Sequence, residues 1–120
     1  MLMKIYLKCD SSSLATLLKA KILSNVKNGK FPTWDTRLIA TPNNTQKTVI
    51  FHTPSSGQYD EEGKDVCFGL FVDGNTVVVI PGLLSNWCAA PAFEQQQLHL
   101  GRLTSLLLTY RPYYRSLTII

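Results

Sequence analysis

Apolar residues crowd most densely into two short runs, Val66–Val72 and Thr76–Ile80, separated by Asp73-Gly74-Asn75. Gly and Asn accept the positive φ of a tight hairpin. The flanking β-branched and aromatic residues (Val66, Phe68, Phe71, Val72, then Val77 to Ile80) suit a pleated surface. The pattern predicts a β-hairpin, around which the other elements are read. Lys4 to Cys9 alternates, with Ile5, Leu7 and Cys9 on one side, and reads as a strand with one wet face. Asp10 and Ser11 to Ser13 offer helix N-caps. Leu14, Leu17, Leu18, Ile22, Leu23 and Val26 then follow at helical spacing as one buried stripe, and Asn28-Gly29 closes the helix.

Beyond Phe31-Pro32, a strand is predicted over Thr33 to Ala40, with Trp34, Thr36, Leu38 and Ala40 on one face and Trp34 as a core anchor. A loop at Thr41 to Thr45 leads to a strand over Lys47 to His52, followed by a long polar loop from Thr53 to Lys64. After the hairpin, Leu83 to Ala90 is apolar enough to pack over the end of the sheet. Pro91 sits near the start of a second helix whose buried stripe is Phe93, Leu100, Leu103, Leu107 and Tyr110. That helix stops before Pro112, and Ser116 to Ile120 is expected to return as an edge strand. The elements predict a single α+β domain over residues 1–120: a mainly antiparallel sheet of four to six strands, in the order β-α-β-β-β-β-α, with two helices covering one face.

Composition narrows the chemistry. With 120 residues and 45% hydrophobic content, the chain can bury a real core without staples. Cys9, Cys67 and Cys88 are odd in number and widely spaced, which suits small core hydrophobes in a reducing compartment. No C-x-x-C occurs, and His52 and His99 lack ligand-like spacing to the cysteines, so no metal is expected, and no cofactor. The N-terminal MLMKIYLKCD lacks the apolar core of a signal peptide, and no run reaches the roughly 18 apolar residues of a membrane span. The expected location is the cytoplasm, without membrane partners.

The net charge of +4 is unevenly spread. Residues 1–52 hold eight Lys/Arg against Asp10 and Asp35; residues 53–100 hold Lys64 against Asp60, Glu61, Glu62, Asp65, Asp73 and Glu94; residues 101–120 add Arg102, Arg111 and Arg115 with no acid. If the two basic ends meet in the fold, a basic face could oppose an acidic loop and steer a charged partner. The plainer reading is that these charges solvate the surface.

Three local patterns resemble a group of short bacterial proteins of no established activity: Gly29 then Thr33-Trp34, His52-Thr53 with Gln58-Tyr59, and Gly101-Arg102 opening Leu103 and Leu106 to Leu108. The chain departs from that pattern in a longer Ala40–Thr48 loop and in Tyr59, where Trp is expected. The resemblance implies a bacterial or phage origin and carries no catalytic residue.

Three classes of function use different residues. A small ribonuclease-like enzyme would use His52 as acid or base, Arg102 or Lys64 on a phosphate, and Tyr59 or Thr53 to orient it. No nucleophile elbow or phosphate-binding glycine loop accompanies them. A nucleic-acid-binding protein would use Lys4, Lys8, Lys19, Lys21, Lys27, Lys30 and the Arg111-Pro112-Tyr113-Tyr114-Arg115 tail, in which Tyr113 and Tyr114 otherwise serve to pin the tail onto the sheet. A non-enzymatic protein-binding module explains the most with the least. Gln58, Tyr59, Asp60, Glu61 and Glu62 set an aromatic anchor beside three acids, which can imitate phosphates in the basic cleft of a toxin. An immunity- or antitoxin-type inhibitor with a protein partner is the expectation, against a solvated loop as the plain alternative.

Overall fold

The computed structural model describes residues 4–40, 46–52, 66–81 and 93–120, with the side chains of residues 37–40, 46–49, 51–52, 66–67, 81 and 93–100 outside that description. The elements are β1 (Ile5–Lys8), α1 (Ser12–Lys27), β2 (Trp34–Ala40), β3 (Gln46–His52), β4 (Val66–Asp73), β5 (Thr76–Pro81), α2 (Phe93–Leu108) and β6 (Ser116–Ile119). They form the α+β fold that the sequence predicts, the sheet having six strands in the order β2-β3-β4-β5-β1-β6. Every described pairing is antiparallel.

The hairpin of β4 and β5 turns at Gly74, whose φ of 60° needs no Cβ. Asn75 then accepts a hydrogen bond from the Cys9 amide (2.8 Å), which ties the turn to the end of β1. Of the candidate caps for α1, Ser11 is the one used: its hydroxyl accepts from the Leu14 amide at 3.2 Å. At the other end Gly29 takes φ 75°, the Gly29 amide donates to Val26 (3.1 Å) and the Lys30 amide to Asn25 (3.0 Å). That pair of bonds satisfies carbonyls which the last helical turn leaves open.

The strand order makes each helix a crossover between parallel strands. Four antiparallel steps separate β1 from β2, so those two run parallel, joined by α1; β5 and β6 both oppose β1, so they also run parallel, joined by α2. The two connections run in opposite senses across the sheet from strands of opposite direction. The right-handed crossover preference therefore places both helices on the same face.

Register defines that face. Ile5 pairs with Val79, Leu7 with Val77 and Ile50 with Phe68, so their side chains lie together with Leu70 on one side of the sheet. All are buried, and they pack with Ala15, Leu18, Ile22 and Val26 of α1 and with Leu103, Leu106 and Leu107 of α2 in one core. Trp34 is the anchor expected of it, meeting Phe68 edge-on at 5.7 Å and 71°. The two helix ends are joined by Asn25, whose side-chain amide donates to the Tyr110 hydroxyl at 2.9 Å.

The stripe predicted for α1 needs correction. Leu14 and Leu17 are 42% and 56% exposed, while Ala15 is fully buried in their place. At about 100° per residue, the six residues from Leu17 round to Leu23 span roughly 240°, more than the sheet can cover. Leu23 is half-buried on the far flank, leaving Leu14 and Leu17 at the rim on the other. The predicted packing of Leu83–Ala90, the Pro91 helix start and the Thr41–Thr45 loop lie outside the described residues.

Candidate functional site

After α2 the chain doubles back along the rim of α1 that carries Leu14, Leu17 and Lys21. Pro112 fixes φ near the value of a 3-10 turn over Arg111–Tyr113, a turn the sequence reading did not anticipate. Contacts to α1 then follow one another in reverse order. Tyr110 meets Asn25, the Lys21 Nζ stands 4.6 Å from the centre of the Tyr113 ring, and the Arg115 guanidinium pairs with Asp10 at 3.3 Å. Tyr114 turns inward, packs on the core and donates its hydroxyl to the Leu107 carbonyl (3.2 Å). Of the two tail tyrosines expected to pin the tail onto the sheet, Tyr114 pins it to the core and the end of α2, and Tyr113 remains 43% exposed.

Between α1 and this segment lies a groove of about 170 Å³, lined by Leu14, Leu17, Leu18, Lys21, Tyr113 and Arg115 among others. Leu18 forms its buried floor. Leu14, Leu17 and Tyr113 give it an exposed apolar rim, and Lys21 stands over the Tyr113 ring. The Arg115–Asp10 pair is about two-thirds exposed on both sides, so it orients the guanidinium while contributing at most about 1 kcal/mol to folding. An apolar floor and rim with a cation at the edge can bury a side chain and meet a carboxylate. Asp10, Pro112 and Tyr114 complete its lining.

Where the structure shifts a titratable group, packing is the cause. Burial pushes the Tyr110 and Tyr114 hydroxyls above their ordinary value of 10.0, against the Asn25 hydrogen bond at Tyr110 and the Arg111 charge at Tyr114. Burial, then the nearby Asp10 charge, raises the Cys9 thiol above 9.0. All three are neutral when protonated, so the unfolded chain loses these protons first as pH rises. Their contribution to stability is complete below about pH 9 and is lost as pH climbs through the raised values. Urea unfolding at pH 8, 10 and 11 is expected to show a falling midpoint, with a shallower fall in Tyr114→Phe. A midpoint that does not move over this range would contradict the assignment.

Of the residues singled out from sequence, the structure describes only some. Gln58, Tyr59, Asp60, Glu61 and Glu62 lie outside the described residues, as do Thr53 and Lys64. His52 ends β3, opposite Trp34 and Val66. Residues 53–65 therefore join the sheet at the end where β2 begins, whereas Asp10, Arg115 and the groove lie at the end where β1 finishes. Arg102 is half-buried on α2. The basic chain ends do meet, because β1 pairs with β6. They make no single basic face: Lys4 and Lys8 alternate with Ile5 and Leu7 on β1 and so belong to the sheet face away from the helices, Lys19 and Lys21 lie on opposite flanks of α1, and Arg115 is engaged by Asp10. Sequence reasoning missed the groove, although the excessive width of the α1 stripe was a signal for it. Among the described residues no group of three His, Cys, Asp or Glu could hold a metal ion, and no helix is long and apolar enough to cross a membrane.

No protein-family model matches the chain, no curated protein matches it, and no solved structure matches it.

Proposed function

We propose that the protein is a small non-enzymatic protein-binding module, of the kind that neutralises a bacterial toxin. The observation that carries the reading is the exposed apolar rim of Leu14, Leu17 and Tyr113 over a groove edged by Lys21 and Arg115. Tyr and Arg are enriched at the centre of protein interfaces, and Leu14 and Leu17 add exposed apolar area beside them. A nucleic acid would draw on the cations but would leave the two leucines unused, and Arg115 is already shared with Asp10. The inhibitor role rests on Asp60, Glu61 and Glu62, whose clustered carboxylates fit a basic cleft with Tyr59 as anchor.

The groove and the acidic segment use different residues, so each can be removed without the other. Affinity capture from a bacterial host, at moderate salt with and without nuclease, is expected to recover one stoichiometric protein that survives nuclease. Replacing Asp60, Glu61 and Glu62 together with Ala is expected to release it without changing the unfolding midpoint. Retained capture by that variant removes the inhibitor role from the acidic segment. Recovery of nucleic acid, with proteins lost after nuclease, overturns the protein-binding reading altogether.

A further inference from the structure

The two edges of the sheet, β2 and β6, are built differently. β2 carries Asp35 and Arg37, charges that discourage pairing along an edge. From Ser116 to Ile120 the other edge has neither a charged side chain nor proline, and Ile119 and Ile120 are 41% and 74% exposed. Its backbone is also presented outward. Lys4 and Ile120 exchange two hydrogen bonds, 3.0 and 2.9 Å. Bonded and non-bonded pairs alternate along an antiparallel ladder, so Leu117 and Ile119, opposite Leu7 and Ile5, direct their N–H and C=O groups away from β1.

We infer that β6 pairs with β6 of a second copy of this chain, antiparallel about a two-fold axis through Thr118, joining the two sheets into one. Two conditions fix this register. The helix-covered face must continue into the helix-covered face, and outward-directed backbone groups must meet their like. Both hold when Leu117 faces Ile119 of the second copy, Ile119 faces Leu117, and Thr118 faces itself; each Leu117–Ile119 pair then exchanges two hydrogen bonds. A two-fold through Leu117 would instead set Ile119 against Arg115, whose amide is already given to the Lys8 carbonyl at 2.7 Å. A two-fold through Ile119 would pair, among the described residues, only one outward residue of each copy.

Side chains agree with the register. On the helix-covered face, the row from Leu7 through Leu117 continues into Ile119 and Ile5 of the second copy, extending an apolar row that already belongs to the core. On the other face Lys4 and Lys8 of the second copy are three strand spacings apart, roughly 14 Å. That exceeds the Debye length of about 8 Å at physiological salt, so the copies repel only weakly there. A pairing this short sits at the low end of interface sizes, so the dimer forms at roughly micromolar or higher concentration and tightens as salt is added from low ionic strength.

Disulfide trapping tests the register. Across the two-fold the Thr118 Cα atoms are about 4.5 Å apart, within disulfide reach. The two copies of Ser116 are roughly 14 Å apart and out of reach. Under mild oxidation Thr118→Cys is expected to give at least tenfold more covalent dimer than either Ser116→Cys or the wild type, both of which carry the native cysteines. In sedimentation equilibrium the wild type is expected to associate with rising concentration. Thr118→Lys, with like charges directly opposed, stays monomeric at an unchanged thermal midpoint. Equal cross-linking of Thr118→Cys and Ser116→Cys, or a wild type that stays monomeric into the millimolar range, overturns the pairing.

Discussion

Phe68→Ala is expected to cost about 3–5 kcal/mol of stability, a large part of the roughly 5–15 kcal/mol that holds a domain of this size folded. Phe68 is fully buried on β4, between its register partners Ile50 and Pro81 and under the edge-on ring of Trp34. Truncation removes the apolar area of a whole ring and leaves a hole that the surrounding sheet cannot close, because Ile50 and Val79 are held by strand register and Leu18 and Ile22 by the helix. The measurement is urea unfolding followed by tryptophan fluorescence, since Trp34 loses its neighbour in the folded state of the variant. Phe68→Leu, which keeps most of the volume, should cost well under half as much. A loss below about 1 kcal/mol for the alanine variant would mean that the core is centred elsewhere.

Leu17→Ala combined with Tyr113→Ala is expected to weaken capture of the protein partner by at least 100-fold while changing the unfolding free energy by no more than about 1–2 kcal/mol. The asymmetry follows from where the two side chains lie. Both are about half exposed, so truncation removes little buried area from the free protein. The contacts given up within the chain are the Lys21 ammonium over the Tyr113 ring, worth about 0.5–1 kcal/mol at an exposed site, and the tilted pair of the Tyr113 and Tyr110 rings, 6.4 Å apart. In an interface the same two residues would be desolvated at its centre, where single truncations cost about 2 kcal/mol or more. Titration calorimetry with the captured partner measures the change. Undiminished affinity would remove the groove from the interface and leave the acidic segment as the surface to test.

Local chemistry was legible in the sequence wherever a residue type has one structural use. Gly74 between two β-branched runs specified the hairpin, Asn28-Gly29 the end of α1, and the short apolar run after Arg115 an edge strand. Trp34 was identifiable as a core residue because it stands apart from the other aromatics that a base-stacking platform would need. Strand order was not legible. That β1 lies between β5 and β6 depends on pairings across most of the chain, and no short window of residues encodes them. The groove was missed for a related reason. Periodicity shows which residues could be buried together, but the sheet decides how many of them it has room for, and Leu14 and Leu17 fell outside that limit. Whether Gln58 to Glu62 form a binding surface is a matter of their own contacts with a partner, and composition alone supplies only their charge.

The place of β1 also bears on how the chain reaches its native state. Ile5 pairs with Val79 on one side and with Ile119 on the other, partners 74 and 114 residues away along the chain. The hairpin of β4 and β5 can close early and locally, but β1 gains a partner only after a long loop has closed, and β6 has no place in the sheet until β1 is seated. Distant pairings of this kind slow folding, toward milliseconds to seconds for sheet-dominated domains. During synthesis the first strand therefore waits, with Ile5 and Leu7 uncovered, while most of the chain is made.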